Sequence, residues 1–244
     1  MLGSATSGSP IVAVIIPAWN AAGRIGRILD RLPDDGRFEA IVVDDGSTDR
    51  TGDLAREHGA ALVVRHGVRS GVGAAIRDGL AAGLARKRPY VALLSGDEPG
   101  DPADLIAGLE ALQAAEADYL QGSRWLPGGD DADRAGKPGL ATRLYSLAFS
   151  GLAGRRVTDA TNGFRIFRSS MLHDQRINLY QSWLTGYDLE PYVLYKAIRC
   201  GYRVIEYPVT AVHRAASGRP TVRGMRDGWR LFRPALLLRT GVKR

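Results

Sequence analysis

The sequence holds a single cysteine, Cys200, only three methionines and four histidines, and no apolar run longer than a few residues. One cysteine excludes an intrachain disulfide framework and a four-cysteine zinc site, and it fits a reducing compartment. The first apolar run, Ile11 to Ile16, is far too short to cross a bilayer, and the ten residues before it are small and polar. Neither a signal peptide nor a transmembrane helix is therefore expected, and the cytoplasm is the default location. What is present is an ordinary globular composition: 244 residues, 45% hydrophobic and 24% charged, enough to bury one large core.

Thirty-three Lys and Arg oppose 26 Asp and Glu, a net charge of +7, and the excess is mostly arginine. Arginine suits bidentate contacts to phosphate, so an acidic partner is expected. The basic residues are scattered and match no nucleic-acid-binding motif. A phosphorylated small molecule or an anionic membrane surface fits them better than nucleic acid.

The first half alternates short β-branched runs with helical spacing, the pattern of βαβ units feeding a parallel sheet. Strands are expected at 11–16, 40–43, 61–64 and 90–94, with a fifth around Tyr119 and Leu120. Helices are expected from the spacing of Ile25, Ile28, Leu29 and Leu32, over 48–57, on Val72, Ala75, Ile76, Leu80 and Leu84, and on Leu105, Leu109 and Leu112. Residues 127–139 form a Gly, Asp and Pro-rich stretch without periodicity, in the manner of a lid or a disordered loop. Helices at about 140–152 and 188–199 and a strand at 203–207 complete the domain, while 159–168 is left as a segment without an assigned element.

The chain divides into a flexible N-terminus, 1–10, one α/β domain, 11–218, and a basic amphipathic segment, 219–244, that mixes eight basic residues with Trp229, Leu231, Phe232 and Leu236 to Leu238. This last segment fits two descriptions: a helix lying on an anionic membrane, or one packed on its own domain with a solvated basic face. In either case Pro234 is expected to interrupt it.

Acidic and Gly-rich clusters lie just after strands, where open α/β sheets place their ligands. Asp44-Asp45-Gly46-Ser47-Thr48-Asp49 suits hydrogen bonding to a base or ribose, or a turn with a helix cap at Ser47 or Thr48. Asp97, after the strand ending at Leu94, suits a divalent cation bridging two phosphates. Gly71-Val72-Gly73 resembles a dinucleotide fingerprint, but the third position is Ile76 and the run follows the third strand, so a close-packed helix start is the better reading. Arg124, Arg143, Arg165, Arg214 and Arg219 stand beside turn residues as candidate phosphate clamps, with Arg124 and Arg214 foremost. Asp188 and Glu190, at a helix start, are candidate general bases for a hydroxyl acceptor, or simply favourable charges on a helix dipole. His213 reads as a surface residue.

Taken as an ordered set, five segments resemble the family-2 inverting glycosyltransferases of GT-A fold, closest to the polyprenyl-phosphate (dolichyl-phosphate) mannose synthase branch. They are Ile15-Ile16-Pro17-Ala18-Trp19-Asn20, 42–49, Gly122-Ser123-Arg124-Trp125, Thr161-Asn162-Gly163-Phe164-Arg165 and 201–208, so that the resemblance spans about 11–235. It implies a single GT-A, Rossmann-like α/β domain with a mostly parallel sheet between helices. Pro17, Trp19, Val43, Asp44, Asp45 and Gly96 would line the nucleotide-sugar, and Asp97 would hold Mg²⁺ or Mn²⁺ on its diphosphate. Arg124, Arg214 and Arg219 would contact the donor diphosphate or the acceptor phosphate.

The acceptor it implies is a polyprenyl phosphate, with a soluble hydroxyl compound as the alternative and an inactive nucleotide-sugar binding module as a third reading. A nicotinamide oxidoreductase is disfavoured because Pro17-Ala18-Trp19-Asn20 occupies the place of its glycine fingerprint. The chain departs from the family at Ser95, where an Asp-x-Asp motif has its first acid, at Pro99 in place of Gln, and at Ala21 in place of Glu.

Overall fold

The computed structural model describes residues 10–94, 101–129, 139–209 and 224–243, with the side chains of 139–141 and 224–228 left aside. Fifteen elements follow one another along these stretches: β1 (Val12–Ala18), α1 (Ile25–Leu29), β2 (Phe38–Asp44), α2 (Thr51–Glu57), β3 (Leu62–Arg65), α3 (Val72–Ala85), β4 (Tyr90–Leu93), α4 (Asp104–Ala114), β5 (Tyr119–Ser123), α5 (Gly139–Ala153), β6 (Arg165–Arg168), a 3₁₀ turn (Ser169–His173), α6 (Leu189–Arg199), β7 (Val204–Pro208) and α7 (Gly224–Arg239). The strands form one sheet in the order β3-β2-β1-β4-β6-β5-β7. Only β6 runs against the others, antiparallel to both β4 and β5.

β1 is an interior strand, third in this order and paired with β2 and β4, and Val12 through Ile16 have no exposed surface. Its side chains divide by parity. Val12, Val14 and Ile16 join the core beneath α1, α2 and α4, whereas Ala13 and Ile15 join the core beneath α3, α5 and α6. A strand buried on both faces has no need of polar alternation, which explains its continuous apolar run. On the second face α3 lies close to the sheet because Gly79 has no side chain: a Cβ there would stand 2.3 Å from the Ile15 side chain.

Two expectations fail, each for an identifiable reason. β6 occupies part of the unassigned 159–168 segment, and its short Arg-Ile-Phe-Arg sequence has neither the length nor the pattern of an ordinary strand. It is held between two neighbours instead, with Phe167 stacked on Tyr119 at 5.6 Å between centroids. Pro234 does not interrupt the last helix, since α7 runs through it. Packing compensates for the hydrogen bond that Pro cannot donate: Tyr145 Oη donates to the Leu231 carbonyl at 2.8 Å, Phe232 meets the Tyr145 ring edge-on, and Ala235 is fully buried.

The amino-terminal end of β2 has its own anchor. Glu39, at the start of β2, accepts from Arg86 Nε at 2.6 Å and Arg88 Nε at 2.7 Å and is almost fully buried. Burial alone would raise its carboxyl, but the hydrogen bonds and charges of the two arginines prevail and hold it at about 2, against 4.5. A depressed folded-state value contributes stability above the unfolded value, and that contribution is lost as pH falls. Glu39→Gln is expected to lower the unfolding free energy by about 2 kcal/mol at neutral pH. Measured by urea denaturation, the gap between wild type and variant should close between pH 4.5 and about 2.

Candidate functional site

The parallel strands β1, β2, β3 and β4 bring their carboxyl ends to one edge, and the loops leaving them are bound together. Asn20 takes a left-handed conformation, φ 47°, which an asparagine tolerates. Its N–H donates to Ser47 Oγ at 2.9 Å and its Oδ1 accepts from the Thr48 N–H at 2.9 Å. Ala21 N–H donates to Thr51 Oγ1 at 2.7 Å, and Ala22 N–H to Asp49 Oδ2 at 3.1 Å. Asp49 Oδ1 accepts from the Thr51 N–H, so Asp49 rather than Ser47 or Thr48 closes the start of α2. Burial acts to raise its carboxyl; the hydrogen bonds from Thr51 and the backbone outweigh this and leave it below the usual range.

Asp45 is the next link. Its Oδ1 accepts from the Ser70 N–H at 2.7 Å and faces His66 Nδ1 at 2.8 Å, while Oδ2 accepts from the Gly71 N–H at 2.8 Å. His66 Nε2 faces Asp78 Oδ2 at 3.0 Å, so the ring is held between two carboxylates. Gly71, at φ 99°, begins α3 in a conformation that suits glycine. A Cβ on Gly73 would stand 2.6 Å from the Gly186 carbonyl, so the Gly71-Val72-Gly73 run is a close-packed helix start, pressed against residues 185–186.

Above this anchor Trp19 is 41% exposed, and the Arg69 guanidinium covers its ring at 3.6 Å. This is a flat apolar surface with a cation on it, beside buried carboxylates, at the mouth of the sheet. Pro17, two residues earlier and within β1, is partly exposed. Of the residues gathered here the sequence singles out Trp19 and Asp45, while His66, Arg69 and Asp78 join them only in the fold. A signal existed for His66, which directly follows β3 at the ligand edge.

The second cluster follows β5. Arg124 donates from Nε to Asp159 Oδ2 at 2.7 Å, from Nη2 to Asp159 Oδ1 at 3.1 Å and to Thr161 Oγ1 at 2.8 Å. Asp159 is fully buried. Ser123 Oγ and Thr158 Oγ1 share a hydrogen bond of 2.6 Å, and Thr158 donates on to Glu206 at 2.7 Å. Trp125 lies under Arg143, 4.5 Å from its ring centre. The segment 158–161 is thereby joined to the end of β5, and Asp159, which sequence reasoning did not single out, is the partner that holds Arg124.

Several expected residues have other roles. Asp44 is fully buried, accepts the Ser47 N–H at 3.0 Å and lies 3.5 Å from Arg65 Nε, so it shapes the turn instead of facing the opening. Val43 is likewise fully buried, under Gly79 of α3, and has no side-chain surface to give a nucleotide. Arg165 is 2% exposed and pairs with Glu190 and with Gln121 Oε1 at 3.1 Å, as a core cation and not a phosphate clamp. Glu190 is committed to that pair, which opposes its use as a general base. Asp188 is also fully buried, with Oδ1 accepting from Arg233 Nε at 2.6 Å. Burial raises its carboxyl and Arg233 works against the rise; its closest partner is a guanidinium and not an open cleft.

Gly96, Asp97, His213, Arg214 and Arg219 lie outside the described residues. Among the described residues no three His, Cys, Asp or Glu side chains are grouped to hold a metal ion, and no helix is long and apolar enough to cross a membrane.

These features can be set beside known proteins. The sequence model of Glycosyl transferase family 2 matches residues 13–175. The chain is 31% identical to a dolichyl-phosphate hexose transferase of Haloferax volcanii over 84% of each chain. It is 30% identical to an undecaprenyl-phosphate mannosyltransferase of Micrococcus luteus over 83% of this chain and 84% of that one. Among solved structures, glucosyl-3-phosphoglycerate synthase of Mycobacterium tuberculosis, crystallised with Mn²⁺, UDP-glucose and phosphoglyceric acid, has the same fold. The TM-score is 0.72 at 23% identity, covering 98% of this chain and 83% of that one. With one family covering both the strand-end loops and the Arg124–Asp159 cluster, the chain belongs to glycosyl transferase family 2.

Proposed function

We propose that this glycosyltransferase moves a sugar from a nucleoside diphosphate to the phosphate of a polyprenyl phosphate, with inversion at the anomeric carbon. The observation that carries the reading is the pair of clusters at one sheet edge. Trp19 and Arg69, on the loop that Asp45 holds in place, suit a nucleoside, and Arg124, fixed by Asp159, suits a phosphate. Between β1 and β5 in the sheet, β4 ends at Leu93, four residues before Asp97.

Trp19 offers its indole face to the base, which Arg69 leaves or shares as the base enters. Asp45 keeps the 66–71 loop in shape below it. Arg124 stands in a fixed direction, because Asp159 and Thr161 hold it on two sides, and it meets phosphate oxygens without first losing rotamer freedom. Mg²⁺ or Mn²⁺ suits Asp97 chemically, since a lone carboxylate completes its oxygen set with the donor's own phosphates, and the bound cation would neutralise charge on the departing nucleoside diphosphate.

The acceptor phosphate oxygen forms a bond to the anomeric carbon while the bond from that carbon to the donor's diphosphate oxygen breaks. The electron pair leaves with the nucleoside diphosphate. An ionised phosphate has no proton to surrender, so the reaction needs no general base. That agrees with Asp188 and Glu190 both being engaged by arginines, and it is the reason to prefer a phosphate acceptor to a hydroxyl compound. The relatives named for undecaprenyl and dolichyl phosphate support the same choice.

Calorimetric titration with UDP, GDP, TDP, CDP and ADP, each with Mn²⁺ and with EDTA, tests the donor half. One nucleotide is expected to bind in a cation-dependent way, Trp19→Ala to weaken it about tenfold, and Asp97→Ala to remove the cation dependence. Unchanged Mn²⁺-dependent binding by the Asp97 variant would overturn the donor site as drawn. Incubation of the matching nucleotide-sugars with a short-chain polyprenyl phosphate should then yield a lipid-phosphate-linked sugar, and binding without turnover would mark a binding module. Asp159→Asn should cut turnover about ten- to a hundredfold with nucleotide affinity within about threefold of wild type. An equal loss of nucleotide affinity would place Arg124 on the donor instead.

A further inference from the structure

Helix α5 shows an unusual distribution of side chains. Its polar residues turn inward: Ser146 Oγ accepts from the Ala160 N–H at 3.1 Å, and Ser150 Oγ accepts from the Val157 N–H at 2.9 Å. Phe149 and Ala153 fill the core beside them. The outward side carries Arg143, Leu144, Leu147, Ala148 and Gly151, all exposed, with Leu144 at 57% and Leu147 at 70%. A helix that is apolar on both faces belongs in a core or against an apolar phase. On an ordinary solvated surface this outward face would be lined by Glu, Lys or Gln.

Its surroundings indicate which apolar phase. From 139 to 158 the sequence has no Asp or Glu but carries Arg143, Arg155 and Arg156. The adjoining α7 is similar: from 229 to 243 there is no acid, and Arg230, Arg233, Arg239 and Lys243 are present. Trp229, one turn before the Phe232 that packs on Tyr145 of α5, is 51% exposed. Exposed leucines and a tryptophan on two stretches, 139–158 and 229–243, whose charged residues are all basic complement an anionic interface. A second copy of the chain would bring the same positive charges against themselves.

The location adds a reason. Arg143, at the start of the exposed face, lies on Trp125, the residue after Arg124. The two inward serines hold 157–160, the segment that presents Asp159 to Arg124. The exposed face is thus the back of the element that fixes the phosphate-directed arginine.

We propose that the outward face of α5, together with the Trp229 edge of α7, seats on an anionic lipid bilayer. Leu144 and Leu147 enter the headgroup boundary, and basic residues of these stretches other than Arg233, which Asp188 holds, meet lipid phosphates. Fifteen residues of helix lying in the plane would give a contact about 22 Å long. The proposal rests on the lipid-phosphate acceptor argued above for its purpose, because an enzyme seated this way meets such an acceptor phosphate at the interface without extracting the lipid chain.

Flotation of the full chain with vesicles of phosphatidylcholine, alone and mixed with phosphatidylglycerol, tests it against Leu144→Gln/Leu147→Gln. Both leucines are exposed, so the thermal melting curve and nucleotide affinity should match wild type. Wild type is expected to float with the mixed vesicles in a salt-sensitive manner, and the double variant to partition about tenfold less or worse. Turnover of a vesicle-embedded polyprenyl phosphate should fall by a similar factor, with turnover of a water-soluble short-chain acceptor unchanged. Equal partition of the two proteins, no partition of wild type, or a dimer dispersed by the double variant would overturn the proposal. If wild type partitions and the variant does not, yet neither acceptor is glycosylated, the membrane face stands and the acceptor reading falls.

Discussion

The arrangement of the ligand edge depends on one carboxylate, Asp45, and on the donors it gathers. It joins the end of β2 to His66 after β3 and to the Ser70 and Gly71 N–H groups that open α3. A carboxylate taking several hydrogen bonds in a buried setting has little freedom, so the loop it holds has little either. From there the constraint passes on by contact. The start of α3 presses on residues 185–186, these lead into Asp188, and Asp188 holds Arg233 of α7. The Trp19–Arg69 surface and the C-terminal helix therefore share one continuous set of packed and hydrogen-bonded parts.

A parallel sheet makes this kind of edge unavoidable. Strands that end together leave backbone N–H groups at one rim, and each needs an acceptor. Asn20, Asp44, Asp45, Ser47 and Asp49 answer that need before any ligand is present. Polar residues clustered at strand ends are thus first a consequence of the fold. Those with surface left over, Trp19 and Arg69 among them, are the ones free to meet a substrate.

The sequence was legible where periodicity carried the signal. β1 to β5 and the helices between them appear within a few residues of the expected places, because buried strands and α3 or α4 have long, regular apolar patterns. β6 was illegible, since its ends are arginines and its place between β4 and β5 is fixed by long-range pairing. Trp19, Asp45 and Arg124, named in the sequence through their motifs, lie in the two clusters after β1, β2 and β5. The partners were not legible: that Arg165 faces Glu190, that Asp188 faces Arg233 and that Asp159 fixes Arg124 are facts of distance between segments 25 to 45 residues apart. Residue type names what a side chain can do, and only the fold decides which partner it meets.

The arginine pairs also bear on the chemistry. Asp188 is paired with Arg233 and Glu190 with Arg165, so neither carboxylate stands as a free negative charge, which is compatible with the proposed phosphate acceptor. An active site built for a hydroxyl nucleophile would gain from leaving one such carboxylate free, whereas one built for a phosphate gains from balancing them. Arg124 follows the same logic from the other side, since Asp159 fixes its direction at the cost of part of its charge. Orientation is then the property conserved through the design, and the remaining attraction for phosphate comes from the summed positive field of the chain.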